Sequence, residues 1–212
     1  MNASRELAAA LAACPLVAIL RGLRPEEALA VGDALSNSGF KLIEVPLNSP
    51  EPLLSVEALA RRFPGALVGA GTVLEPDQVR TVHAAGGRLI VAPNFNPEVV
   101  REAVRLDMIC LPGVLTASEA FAALEAGATG LKLFPAEMIP PAAVKALRAV
   151  LPAQALLLPV GGISATSMQS YRAAGADGFG IGSALYRPGM SAAEVRSSAR
   201  DFVAASAGTT RA

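Results

Sequence analysis

Residues 41–73, KLIEVPLNSPEPLLSVEALARRFPGALVGAGTV, hold one full turn of the pattern that governs this chain. KLIEVPL (41–47) is an apolar run without strict polar alternation, as expected of a strand covered on both faces. Pro50 to Phe63 then reads as a helix, with Leu53, Leu54, Val56, Leu59 and Ala60 forming one apolar stripe. ALVGAGTV (66–73) opens the next unit. The same alternation extends in both directions through PLVAILR (15–21), RLIVAPN (88–94), MICLPG (108–113), GLKLFP (130–135), ALLLPVGG (155–162) and GFGIGSAL (178–185). The runs begin about 20 to 27 residues apart, room for one strand, one helix and two short loops.

The intervening segments carry helix signals. Pro25 to Leu35, with Glu26 and Glu27 in its first turn, starts as a helix N-terminus should. Pro76–Ala85, Pro97–Leu106, Ala117–Ala126 and Pro140–Val150 repeat the arrangement, and Ser164 and Ser191 are placed to cap helices running to Ala174 and Ala204. Gly39, Gly86, Gly127 and Gly175 follow helical stretches where a left-handed C-cap wants glycine. Eight strand–helix units predict a compact α/β (β/α)8 barrel of TIM type: one domain over residues 1–212, its barrel core at about 15–190. The rival is a doubly wound open sheet, which usually offers fewer strands; the first strand here lacks a following GxGxxG. The tail AGTTRA (207–212) reads as frayed.

Composition narrows the function. Lys plus Arg and Asp plus Glu are both 18, so the net charge is zero, against the basic excess usual for nucleic-acid or membrane-surface proteins. At 52% hydrophobic and 17% charged residues the chain is too apolar to be disordered. No unbroken apolar run reaches the roughly 18 residues of a membrane span, and the start, with Arg5 and Glu6 before an alanine-rich stretch and a first core strand, does not read as a signal peptide. Cys14 and Cys110 have no scaffold spacing, which fits a reducing cytoplasm.

In a barrel, chemistry sits at the C-terminal ends of the strands. The polar residues interrupting those runs include Arg21, Glu44, Asn48, Thr72, Asn94, Lys132 and Ser183. Lys132, within GLKLFP, either snorkels or pairs at an edge, or points into the barrel mouth, where burial and a nearby cation would lower its pKa from about 10.4 and free a nucleophilic amine. Glu44 on the second strand lies four units earlier, roughly across the barrel. It is positioned either to pair with the ammonium and move protons, or to form an ion pair with Arg21. Arg21 offers a planar fork for a carboxylate, and Thr72 a hydroxyl among glycines. PVGGIS (159–164) and GIGSAL (180–185) put Gly161, Gly162, Gly182 and Ser183 in the seventh and eighth loops, where barrels of this kind commonly bind phosphate; the first reads as running straight into a helix. His83 reads as a helix-surface residue, Cys14 and Cys110 as packing, and Asp77, Asp107 and Asp177 as helix-start or turn residues, so neither a zinc cluster nor another metal site is predicted. A lysine, a carboxylate, an arginine and a phosphate cradle together suit Schiff-base carbonyl chemistry without a cofactor.

From Pro15 to Gly189 the sequence resembles the 2-keto-3-deoxy-6-phosphogluconate and 2-keto-3-deoxy-6-phosphogalactonate aldolases. The stretches that carry the resemblance are VAILRG (17–22), IEVPLNSP (43–50), VGAGTVLEPDQV (68–79), APNFNPEVV (92–100), PGVLTASEAFAALEAGA (112–128), LKLFPAE (131–137), VGGIS (160–164) and GSALYR (182–187). It implies a class I aldolase, usually a homotrimer, that cleaves a phosphorylated keto acid to pyruvate and glyceraldehyde 3-phosphate. It further implies Lys132 as Schiff-base lysine and Glu44 as general acid/base, with Arg21 and Thr72 at the pyruvate end. Pro93 would line the pocket, and Gly161, Gly162, Gly182 and Ser183 would hold the phosphate. The gluconate-type members look like EVTLRT at the second strand, with a threonine before the GG pair; here Pro46, Asn48 and Val160 stand instead and resemble the galactonate branch, which would set Asn48 and Val160 against the substrate. Val160 cannot donate a hydrogen bond to a sugar hydroxyl, and the two substrates differ only at C4. Pro159 is a further departure. Two rivals keep the fold: a phosphate-binding isomerase, synthase or decarboxylase using the same residues without an imine, and a non-catalytic sugar-phosphate-binding protein.

Overall fold

A computed structural model describes residues 3–207 of the chain. Its strands are β1 (Leu16–Ile19), β2 (Leu42–Pro46), β3 (Leu67–Gly71), β4 (Leu89–Val91), β5 (Ile109–Leu111), β6 (Gly113–Val114), β7 (Leu131–Leu133), β8 (Leu157–Pro159) and β9 (Phe179–Ile181). The helices are α1 (Ala3–Ala13), α2 (Pro25–Ser36), α3 (Pro52–Arg62), α4 (Pro76–Ala84), α5 (Pro97–Arg105), α6 (Ala117–Glu125), α7 (Pro141–Val150), α8 (Met168–Ala173) and α9 (Ala192–Ala207). Every ladder is parallel, in the orders β5-β4-β3-β2-β1-β9 and β6-β7-β8. A bridge between Val160 and Gly180 joins the two groups on one side, and the N–H groups of Thr129 and Gly130 donating to the Cys110 carbonyl join them on the other. The result is the (β/α)8 barrel.

The fifth and seventh units depart from the sequence expectation. MICLPG is two short strands because Pro112 supplies no N–H; the chain pairs with β4 up to Leu111 and with β7 from Gly113 onward. The Ser164–Ala174 segment begins its helix only at Met168. Ser164 and Ser167 instead exchange hydrogen bonds in a turn, each backbone N–H donating to the other's hydroxyl, so PVGGIS does not run straight into a helix. Ser191 does cap α9, which continues to Ala207; the rest of the expected frayed tail, 208–212, lies outside the described residues. Gly39, Gly86, Gly127 and Gly175 all take positive φ. α1 lies outside the eight units. Its alanine-rich sequence carries only a thin apolar stripe, Leu7, Ala10 and Leu11, which packs against the barrel's N-terminal end.

Strand alternation sorts the core into two parts. Leu16, Ala18, Ile43, Val45, Val68, Ala70, Ile90, Leu131, Leu133, Leu157 and Phe179 belong to the larger cluster, shared with helices α2 to α9. Val17, Leu42, Leu67, Leu89, Ile109, Leu111 and Leu158 alternate with them and form a second, interior cluster closed off by α1. Along β2 the interior set passes from Leu42 to Glu44, across β3 from Leu67 to Gly69 and Gly71, and along β1 from Val17 to Ile19. The barrel is therefore floored with leucine and valine, and its polar interior begins one strand repeat, about 7 Å, above that floor.

Candidate active site

A cavity of ≈ 410 Å³ opens at the C-terminal end of the strands, lined among others by Ile19, Arg21, Glu44, Thr72, Pro93, Lys132, Phe134 and Glu137, and by Val160 to Ser164 and Gly182 to Ala184. Lys132 sits at the centre of β7, between Leu131 and Leu133, which face the helix layer. Its own side chain therefore turns inward, 6% exposed, with Nζ 4.5 Å from the centroid of the Phe134 ring. Burial pushes its ammonium pKa down, the Glu44 charge opposes that, and Arg21 adds to it. A larger fraction of free amine at neutral pH follows, as nucleophilic attack on a carbonyl requires.

Glu44 is the complementary group. It is 2% exposed, and desolvation raises its carboxyl pKa to about 7 despite the pull of Lys132 and Arg21 toward the charged form. A carboxyl half-protonated near neutrality can both take and give a proton. Its Oε2 has no hydrogen-bond partner among the described residues, and a buried acceptor left open in this way is costly unless something is to occupy it. The carboxylate fits because β3 presents Gly71 beside it; a Cβ at that position would collide with Glu44 Oε2. Neither resting ion pair expected from sequence forms within 4 Å among the described residues: Glu44 couples to Lys132 and Arg21 through space, without contact.

Arg21 is held from outside the cavity. Its Nη1 donates to Asn48 Oδ1 at 2.5 Å, and the two loops are also tied where Gly22 N–H donates to Ser49 Oγ at 2.9 Å. Asn48 was expected to touch substrate; it does not line the cavity, and it reaches the site through Arg21. Thr72 lines the cavity at the end of β3 with φ 58°, a left-handed conformation that is costly for a β-branched residue and clusters at functional sites. Pro93 and Val160 line the wall as expected.

Gly161, Gly162, Gly182 and Ser183 come together on one side of the cavity although 19 residues lie between the two pairs. The N–H groups of Gly162, Ser183 and Ala184 make no hydrogen bond among the described residues, the condition for an anion-binding nest. The α8 N-terminus is not part of it, since that helix starts four residues after Ser164. Sequence reading did not assign Ile19, Phe134, Glu137, Ile163, Ser164, Gly180 or Ala184. Three of these had a signal: Ile19, Phe134 and Gly180 stand two residues from Arg21, Lys132 and Gly182 and so share their faces. Glu137 had none, because it lies on a short 3-10 turn (Ala136–Met138) whose direction no periodicity reports.

His83, Cys14, Cys110, Asp77, Asp107 and Asp177 are not among the residues lining this cavity. His83 is on α4, Cys14 and Cys110 are buried, and burial pushes the Cys110 thiol up to about 12, where it is inert. Asp177 is tied into a separate network with Arg148, whose Nη2 lies 2.5 Å from Asp177 Oδ2. No helix among the described residues is long and apolar enough to cross a membrane.

Comparison with known proteins gives consistent results. The profile of the "KDPG and KHG aldolase" family matches residues 7–198. A protein of Rhizobium meliloti described as a probable 2-dehydro-3-deoxy-6-phosphogalactonate aldolase is 50% identical over 192 residues, covering 90% of this chain and 91% of its own. The 2-dehydro-3-deoxy-6-phosphogalactonate aldolase of Escherichia coli K12 is 46% identical over 192 residues, 90% of this chain and 94% of its own. A solved structure described as native KDPGal superimposes with a TM-score of 0.91 at 45% identity, covering 92% of this chain and 95% of that one.

Proposed function

The chain belongs to the KDPG and KHG aldolase family and is a carbon–carbon lyase of the Schiff-base type; on that premise we propose that its substrate is 2-dehydro-3-deoxy-6-phosphogalactonate, cleaved to pyruvate and D-glyceraldehyde 3-phosphate. The observation that carries the reading is a buried lysine amine and a buried carboxyl lining one cavity, each with its pKa moved toward neutrality by burial. Lys132 Nζ adds to the C2 ketone and, with loss of water, gives an iminium. Glu44 takes the C4 hydroxyl proton; the C3–C4 bond breaks, its electron pair enters the iminium to form an enamine, and the aldehyde departs. The proton held by Glu44 returns to C3, and hydrolysis of the imine frees pyruvate and the amine.

Arg21, aimed by Asn48, and Thr72 hold the substrate carboxylate; Pro93 bounds the pyruvate methyl; Gly161, Gly162, Gly182 and Ser183 hold the phosphate. Val160 leaves the C4 hydroxyl without a donor on that wall, and the Rhizobium meliloti and Escherichia coli relatives at 50% and 46% identity carry the galactonate name. The enzyme works in the cytoplasm as one catalytic domain, with two buried thiols left unoxidised. It assembles as a homotrimer, for which Leu115, Met138 and Val150, exposed along a groove of α7, offer an apolar face.

Borohydride reduction with pyruvate, followed by peptide mapping, tests the chemistry: the adduct is expected on Lys132, and turnover that survives the treatment would exclude an imine. Values of kcat/KM for the two C4 epimers test the substrate, with the galactonate epimer expected to be preferred.

A further inference from the structure

One carboxylate in the cavity is used neither by the imine chemistry nor by the anion nest. Glu137 lines the same cavity from its 3-10 turn, and that turn is fixed from below: Ala136 N–H donates to the Val160 carbonyl at 2.8 Å, and the Tyr171 hydroxyl donates to the Ala136 carbonyl at 3.0 Å. A Cβ on Gly161 would collide with Glu137 Oε2, and one on Gly162 would lie 3.1 Å from Oε1, so the carboxylate rests on the glycine pair itself. No hydrogen bond to its oxygens forms among the described residues. An acidic group lying on a phosphate nest would oppose the dianion unless a donor came between them.

The substrate supplies such a donor. A phosphorylated 2-keto-3-deoxy acid, fixed through C2 at Lys132 and through its C6 phosphate at the glycines, carries hydroxyls at C4 and C5. The C4 hydroxyl is committed to Glu44. The C5 hydroxyl, one carbon from the phosphate, arrives beside the glycine pair, and an ionised carboxylate is an acceptor only. We infer that Glu137 accepts the C5 hydroxyl hydrogen bond and is a specificity-determining residue for the triose half of the substrate; this rests on the aldolase reading above. The two C4 epimers share their C5 centre, so Glu137 does not choose between them. It selects 2-hydroxy-3-phospho aldehydes over aldehydes that lack the hydroxyl.

The test is a cycle of cleavage kinetics with wild type, Glu137→Ala and Glu137→Gln on the parent substrate and on its 5-deoxy analogue, phosphate retained. Glu137→Ala is expected to lower kcat/KM about 10- to 100-fold on the parent, mainly through KM. Wild type should lose about as much on the deoxy analogue, and Glu137→Ala should lose nothing further there. Glu137→Gln, which keeps a neutral acceptor, should fall between. An unchanged or improved kcat/KM in Glu137→Ala, or losses that multiply in full, would overturn the inference. Wild-type trapping of pyruvate needs neither the hydroxyl nor the phosphate. Failure there would sink the aldolase reading, whereas successful trapping without coupling in the cycle would sink this inference alone.

Discussion

Leu42 and Glu44 leave the same strand on the same face two residues apart, yet they belong to different materials. Leu42 joins Val17, Leu67, Leu89, Ile109 and Leu158 in a floor that α1 seals from below, all of it apolar and buried. Glu44 joins Lys132 in a layer that is nearly as buried but ionisable, with an oxygen that finds no hydrogen-bond partner among the described residues. The floor is what a hydrophobic core optimises. The layer above it departs from that optimum, because buried ionisable groups, even when paired, are seldom more stable than well-packed hydrocarbon of similar volume. The polar layer is thus evidence of function, and the floor of what keeps that layer in register.

Extending the floor upward makes the sharpest test. Lys132→Met keeps the volume and removes the amine; kcat is expected to fall about ten-thousandfold or more, and pyruvate should no longer be trapped. Combined with Glu44→Gln it leaves no charge in the layer, and the doubly substituted protein should match or exceed wild-type stability in urea unfolding. A marked loss would show that the charges hold the barrel together.

Glu44→Gln alone should lower kcat about 100- to 1,000-fold. Wild-type kcat/KM for cleavage should rise as pH passes about 7, where Glu44 releases its proton, and this limb should be missing in the variant. Stability carries the opposite sign. The unfolded carboxyl titrates near 4.5 and the folded one near 7, so the folded state binds the extra proton between those values. Stability therefore falls as pH rises through that window, by about 3 kcal/mol, and levels off above it. Glu44→Gln should lack that fall; identical pH curves for the two proteins would contradict the burial argument.

Leu42→Ala takes the other side of the comparison. It should cost about 2–5 kcal/mol of stability through the cavity it leaves, with kcat/KM changed only a few-fold. A large kinetic loss would mean that floor and layer are not separable. The smallest effect belongs to the wall: Val160→Thr offers a donor and should shift the ratio of kcat/KM for the two C4 epimers about 3- to 10-fold toward the gluconate form.

Sequence periodicity located all eight barrel positions because buried parallel strands are apolar runs and the helices between them open with Pro, Ser or Thr and close near glycine. It missed α1, whose alanines give little contrast. It misplaced the start of α8 because Ser164 can equally well close a turn. Lys132 and Glu44 stood out as charges inside apolar runs, whereas Glu137, in a turn without a period, did not.

The amino-acid order by itself determined which residues face inward, since a strand alternates with period two and a misplaced lysine or glutamate is conspicuous in hydrocarbon. Only the closed barrel decided what those residues meet. It set Gly71 beside the Glu44 carboxylate, turned Asn48 into the holder of Arg21, and laid Glu137 on Gly161 and Gly162. Those contacts join strands and loops far apart in the chain, and local sequence patterns carry no information about such distances.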